Sequence, residues 1–554
     1  SSNEDLGTAG PGTGTNEAGV GYATFTINLP SVSGSRAAGD PTMVEGDAEE
    51  YAVKSATALI FQKYGADEGS YKFVESVTLP VDGWTDDDAD GITTTSKKLV
   101  AKLTNVDTKN DYSVLILLNN NKTGGGVKVD LPTAGQSYKE WNSKILNPSV
   151  TDLAASGDFY MANAPLKGSA ASPATLVHID KTKIYASVAE ANDPAKDCAA
   201  TVYVERGVAK ISVPQPTKKT VKDKATNTDT ESTVEFSNWA LDITNNKTYA
   251  VHNIDDLSAD YDKIWEATGR FLGTNGRVYW GKDPNYDKEN LKNTDDTERD
   301  TEFKFIKTTS DINLDFGKST YCLENTFNLA NMYQGQTTRV IFKAKYTPKD
   351  GLAEKDGTFY TIGNMKTILD NTKLEAAVNA VATPVLPTDY TIDYTNFKTK
   401  EGSHVITLAD IKDAKGVTLD ADKDYSGKTG TEIVKEINDK LGLTDGAGHA
   451  EAMVGINTYL KGVTYYIARV KHFGDDKTPW SSGSAYDGHN DLYLGRYGML
   501  RNNWYELKVG NVYGPGYPGV PPVDPTLPDD ENEKYLSVSV KILSWAKWSH
   551  SYDL

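Results

Sequence analysis

Few residues in this 554-residue chain have the types and spacing that chemistry requires. The seven histidines (His178, His252, His404, His449, His472, His489 and His550) lack the paired spacing of a zinc site. Asp86, Asp88, Asp90 and Gly91 imitate the opening of an EF-hand loop, but Lys97 stands at the twelfth position, where calcium needs a bidentate glutamate. Asp420, Asp422 and Asp424 are a weaker copy of the same pattern, best read as a solvated acidic turn. Gly317-Lys-Ser-Thr320 ends like a phosphate loop, yet Ile312 replaces its first glycine. No Gly-x-Ser-x-Gly elbow occurs, and Cys198 and Cys322 lie too far apart to define a disulfide framework and read as free thiols. These observations predict no catalytic residue, no metal and no cofactor. The residue that could undergo chemistry is a substrate. Arg36 is the only arginine before Arg206, and it sits in a loop of small residues, Pro30-Ser-Val-Ser-Gly-Ser-Arg-Ala-Ala-Gly-Asp40, of the kind proteases nick. An arginine-specific protease would cut between Arg36 and Ala37.

The elements that would hold such a loop are strands. Runs over Tyr22–Leu29, Val53–Lys63, Tyr71–Leu79, Lys98–Leu103, Tyr112–Leu118 and Thr201–Val213 are separated by Gly, Asn, Asp and Pro clusters, the spacing of a β-sandwich. Tyrosine (31) outnumbers phenylalanine (14), as suits half-buried strands that keep one polar edge in water. One helix is expected at Ser137–Leu146, where Tyr138, Trp141 and Ile145 recur at helical spacing. Gln215–Thr233 is almost wholly polar and reads as a linker. A second domain would follow, with strands at Trp239–Ile243, Lys247–His252, Thr338–Tyr346 and Thr464–Lys471, and a helix capped by Thr431 and stopped by Gly442, its stripe formed by Ile433, Val434, Ile437 and Leu441. The expected division is a leader over 1–36, a first β-sandwich over 37–215, a second over 234–512, a Pro-rich arm over 513–534 and a final strand over 535–554. The polar opening Ser1–Gly21 reads as the flexible start of a processed chain. Six prolines from Pro515 to Pro528 predict an extended, water-exposed spacer.

Strands with matching patterns lie near the two ends. Ala23, Phe25, Ile27 and Leu29 share one face of the first, and Leu536, Val538, Val540 and Ile542 share one face of the last. Burying four aliphatic side chains is worth about 6 to 12 kcal/mol before ordering costs. The last strand must therefore enter some sheet, and each strand's four anchors would let one replace the other in a single groove. The net charge of −19 offers no basic footprint, so no nucleic-acid partner is expected.

Four stretches together resemble one family: Val202-Tyr-Val-Glu-Arg-Gly-Val-Ala-Lys210, Tyr321-Cys-Leu-Glu-Asn-Thr326, Leu494-Gly-Arg-Tyr-Gly-Met-Leu-Arg-Asn-Asn-Trp-Tyr505 and Tyr535-Leu-Ser-Val-Ser-Val-Lys-Ile-Leu-Ser-Trp545. The chain resembles the fimbrillins of Bacteroidia, especially the minor-type shaft subunits. The resemblance implies a mainly β fold of two transthyretin-like β-sandwich domains with a few short helices, and a donor strand on the Pro-rich arm. It implies a lipoprotein precursor exported to the outer-membrane surface, cut after Arg36, whose strand at 23–29 leaves and is replaced by residues 536–542 of the next subunit. Its partners would be further copies, accessory fimbrial subunits, the protease, and receptors on host or bacterial surfaces, with adhesion the work of the fibre. The family's lipidated cysteine has no counterpart in this chain. The alternative is a surface glycan-binding lipoprotein whose Trp480, Tyr486, Tyr493 and Trp504 stack on sugars, although packing in a core or interface is the better account of aromatics at this density.

Overall fold

The first sheet is assembled from β1 (Gly21–Asn28), β2 (Ala56–Gln62), β3 (Lys72–Leu79), β4 (Ser96–Leu103), β5 (Tyr112–Leu118), β6 (Met161–Asn163), β7 (Val177–His178) and β8 (Ala200–Arg206). The computed structural model describes residues 14–29, 47–82, 84, 96–167, 170, 172–257, 271–273, 276–292, 297–443, 455–473, 477–478, 493–530, 536–543 and 550–552. The strand order is β3-β2-β5-β6-β8-β1-β4, with β7 alongside β5. The period of two that marked these segments in the sequence reappears as alternating burial in β3 and β4, whereas all seven residues of β5 are buried, as in a strand covered on both faces. The expected short helix, α1 (Tyr138–Asn142), starts where Ser137 accepts the Glu140 N–H, and it buries Tyr138 and Trp141 in the core of this sheet.

The second half contributes β9 (Ala209–Ser212), β10 (Lys219–Lys222), β11 (Asp229–Asp242), β12 (Ser319–Cys322), β13 (Arg339–Thr347), β14 (Phe359–Ile362), β15 (Gly402–His404), β16 (Ile456–Tyr459), β17 (Val463–Arg469), β18 (Trp504–Val512), β19 (Leu536–Leu543) and β20 (His550–Tyr552). One sheet runs β12-β9-β18-β19-β20 and another β10-β11-β13-β17. They share a core that includes Ile211, Phe236, Phe342, Tyr466, Tyr505 and Leu507. The protein is mainly β, as expected.

Several expectations need correction. The single strand read over Thr201–Val213 is two strands, β8 and β9, in different sheets. The break falls at Gly207, where a Cβ would lie 2.9 Å from the Tyr160 ring, so only glycine passes there without displacing that ring. The chain therefore leaves the first sheet at 207–208. The polar stretch 215–233, read as a linker, forms much of a hairpin between β10 and β11. Its Lys and Thr residues suit a solvated edge strand, with only Val221 of β10 buried. Lys247–His252 is not a strand but a loop that inserts Ala250 and Val251 into the first core.

Between the paired strands β13 and β17 the chain builds an inserted α/β module with its own core of Leu374, Val378, Phe397, Ile433, Ile437 and Ile456. Its two longest helices are α2 (Asn371–Ala382) and α3 (Gly430–Leu441). Gly442 ends α3 at φ +72° as the sequence predicts, but the cap is Thr429, not Thr431: its hydroxyl accepts the Glu432 N–H at 3.2 Å. Gly430 is needed inside the first turn, since a Cβ would fall 2.0 Å from the Asp420 carbonyl oxygen.

Candidate functional site

The two terminal strands lie in different sheets. β1 is an interior strand: it pairs antiparallel with β4 along all eight residues, from Gly21 opposite Leu103 to Asn28 opposite Ser96, and parallel with β8 over Phe25–Asn28. Ala23, Phe25 and Ile27 are fully buried and Leu29 nearly so. Arg36 and Ala37 fall outside the described residues, as do Asp86, Asp88 and Asp90.

β19 pairs antiparallel with β18 and, across its other edge, with the three-residue β20. Val538 and Val540 are buried in the second core. Leu536 and Ile542 lie on the same strand, with their side chains outside the description. The last strand is thus docked on its own subunit.

The Pro-rich arm is not the water-exposed spacer its composition suggested. Pro518, Pro521 and Pro525 are buried, and Tyr517 pairs with Tyr465. A proline-rich segment has carbonyls that no intrastrand N–H can satisfy. Three buried arginines supply the donors here. Arg339 is ion-paired to Asp242 at 2.9 Å and donates to the Pro521 carbonyl at 2.7 Å and that of Pro522 at 3.3 Å. Arg469 donates to the Asp529 carbonyl at 2.8 Å, and Arg496 pairs with Asp530, which also accepts from the Tyr497 hydroxyl. A composition rule for polyproline segments cannot anticipate guanidinium donors brought from distant strands.

A second set of residues that the sequence did not single out joins the two halves. Glu50 is 1% exposed and accepts from Lys210 Nζ at 2.8 Å and from the Tyr321 hydroxyl at 2.8 Å, while its carbonyl accepts from Arg206 Nε at 3.0 Å. Burial and the Glu50 carboxylate push the Tyr321 phenol well above its ordinary pKa. Lys210 also lies 3.7 Å over the Trp504 ring, whose Nε1–H donates to Ser212. Trp504 is therefore engaged within the junction. Tyr493 packs against a core around Trp280 and Phe473, and Trp480 and Tyr486 fall outside the described residues.

The signal that could have found both sets was the rarity of arginine. All seven described arginines (Arg206, Arg277, Arg299, Arg339, Arg469, Arg496 and Arg501) are buried, none more than 7% exposed, whereas Lys210 and Lys471 are the only buried lysines among the described residues. Arg36 and Arg270 lie outside the description.

The described histidines and carboxylates are used in packing and turns. His472 Nδ1 meets the Tyr505 hydroxyl at 2.8 Å, and Asp420 and Asp424 accept backbone N–H groups within their own turn. Among the described residues no cluster of His, Cys, Asp or Glu could hold a metal, and the two cysteines are free.

The geometry is that of a β protein with a strand near each end seated in a separate core. Residues 457–551, which span β17, β18, the arginine-bound arm and β19, match the family described as major fimbrial subunit protein type IV, fimbrillin, C-terminal. Among solved structures, a protein assigned to cell adhesion from Parabacteroides distasonis is similar at 10% identity and a TM-score of 0.37, covering 94% of this chain and 96% of that one. A fimbrial assembly protein from the same organism is similar at 12% identity and a TM-score of 0.27, covering 58% of this chain and 81% of that one. The family reading rests on the C-terminal match. No curated protein matches the chain.

Proposed function

We propose that this protein is a polymerising subunit of a cell-surface fimbria, in which β1 is a placeholder released by cleavage after Arg36 and replaced by β19 of the next copy. The observation that supports this most is the distribution of arginine. A folded subunit that buries every described arginine offers an arginine-specific protease no accessible bond among those residues, although lysine is abundant on the same surface. Protease action would be confined to the two remaining sites, of which Arg36 adjoins β1.

Loss of an interior strand leaves two unpaired sheet edges and a groove lined for Ala23, Phe25, Ile27 and Leu29. An incoming strand gains main-chain hydrogen bonds on both sides together with side-chain pockets. Donor and acceptor are different patches of one molecule, so the contact is heterologous and propagates into a fibre. The same reading makes the subunit an exported lipoprotein precursor at the outer-membrane surface. Its partners are further copies with accessory fimbrial subunits, an arginine-specific protease, and receptors on host or bacterial surfaces through which the fibre adheres.

The test is digestion of the folded protein with an arginine-specific protease, followed by mass measurement and addition of a labelled peptide spanning residues 535–554. A single cut after Arg36, and peptide binding only by the cut protein, are expected. Equal binding to cut and uncut protein would refute strand replacement, and a cut confined to Arg270 would refute the release site.

A further inference from the structure

His252 sits where the first core meets the cluster around Trp280, with oxygen atoms at both ring nitrogens. Nδ1 lies 2.9 Å from a Glu205 carboxylate oxygen on β8, and Nε2 lies 2.7 Å from the Trp280 carbonyl oxygen. A backbone carbonyl only accepts, so Nε2 carries a hydrogen. Facing a carboxylate, Nδ1 is best satisfied if it carries one too. The ring is 4% exposed and Glu205 6%, so water does not relieve the contact.

The cradle is cut to the ring: a Cβ on Gly281 would lie 2.7 Å from Nε2. The other charged groups turned toward this spot are Glu324, from the turn after β12, and Arg501, from the turn before β18, paired to each other at 2.7 Å; Arg277 stands beside Glu205. Arg501 also donates to the Tyr249 carbonyl, tying the same loop to the second half. Glu205, His252, Glu324, Arg501, Asn502 and Asn503 line one small cavity.

We propose that His252 is held as a buried imidazolium between Glu205 and Trp280, a proton-dependent clasp between the first β-sandwich and the rest of the subunit. Burial opposes the charge, but the Glu205 carboxylate outweighs it and holds the ring above its ordinary pKa. Because the folded pKa is raised, the clasp is fully present below the unfolded value of 6.5 and is lost as pH rises through the folded one. The Glu205–His252 arm of the clasp is therefore held in acid and lost toward alkaline pH, leaving the ring tied to the Trp280 carbonyl alone.

The experiment uses the full chain, with nitrogen-detected NMR of the His252 ring and hydrogen exchange. Both ring nitrogens should be protonated below pH 6.5, and the folded ring should titrate above that value. Exchange at residues 250–253 and 278–282, corrected for intrinsic rates, should rise by up to about tenfold per pH unit between the unfolded value of 6.5 and the folded ring's pKa, and level off above it. In Glu205→Gln the carboxamide can donate to Nδ1, so the fold is kept, the ring becomes neutral and the exchange rise disappears. A wild-type ring that titrates at or below 6.5, or an equal exchange rise in Glu205→Gln, would overturn the proposal.

Discussion

β1 and β19 look alike in sequence and differ in how they are held. β1 has eight register pairs on one side and four on the other, within a sheet whose remaining strands could close around whatever fills its place. β19 has seven pairs on one side and three on the other, the latter with a strand only three residues long. β1 buries its apolar face, and β19 buries Val538 and Val540. The difference teaches that β1 is integral to its sheet, whereas β19 is fastened chiefly by a single ladder and by the arginine-bound arm that leads to it. In the proposed exchange, the first must be freed by a covalent cut and the second by peeling.

The sharpest way to break the comparison is Arg36→Ala, which should abolish assembly and leave a folded monomer. Size-exclusion chromatography and electron microscopy after protease treatment would show it, and normal fibres would end the cleavage account. Next in size is Phe25→Ala, expected to cost about 3 to 5 kcal/mol in the uncut protein, as for other buried phenylalanines. Once β1 is gone, the cut protein with the same substitution should melt like cut wild type; a persisting difference would mean β1 stays in place.

Arg339→Met should cost about 3 kcal/mol, because Asp242 is left as an uncompensated buried charge. Residues 513–530 should then become open to proteolysis, and unchanged protection would show that the arm does not depend on its guanidinium donors. Val540→Ala should cost about 2 kcal/mol in the second half while leaving the first half unaffected, read as a shift in one of two thermal transitions. Complete removal of residues 535–554 takes Val538 and Val540 from the second core. It should therefore destabilise that half as well as stop assembly, so peptide competition is the cleaner test of the donor role.

The smallest effect concerns the thiols. Burial pushes Cys322 up to about 12. At half-buried Cys198 burial acts in the same direction, but hydrogen bonds from Thr201 and Thr26 bring the thiol below its ordinary value. Iodoacetamide at neutral pH should label Cys198 first. Equal rates would show that the second core breathes as readily as the surface of the first.

Much of the first sheet was legible because its strands alternate with a period of two and are punctuated by turn residues, and β1 and β5 appear nearly at their expected bounds, whereas the final strand expected over 535–554 is described as two, β19 and β20. What could not be read locally was partnership. Thr201–Val213 carries an unbroken strand pattern, yet Gly207 divides it between two sheets because Tyr160, far away in sequence, crowds that point. The Pro-rich arm was legible as extended but not as buried, since its donors come from β13, β17 and the segment before β18. The Glu50, Lys210 and Tyr321 set draws on three separated segments, and no local window contains it.

By itself the sequence determined which segments would be strands, where one arginine stands in a small-residue loop, and that both ends carry an apolar face that must be buried, because these follow from side-chain period and composition. Tertiary structure alone decided that β1 is an interior strand, that β19 rests on its own subunit, and that the described arginines are kept inside. Those outcomes depend on which distant backbone edges and orphaned carbonyls meet in space, and hydrogen-bond partnership of that kind leaves no periodic trace along the chain.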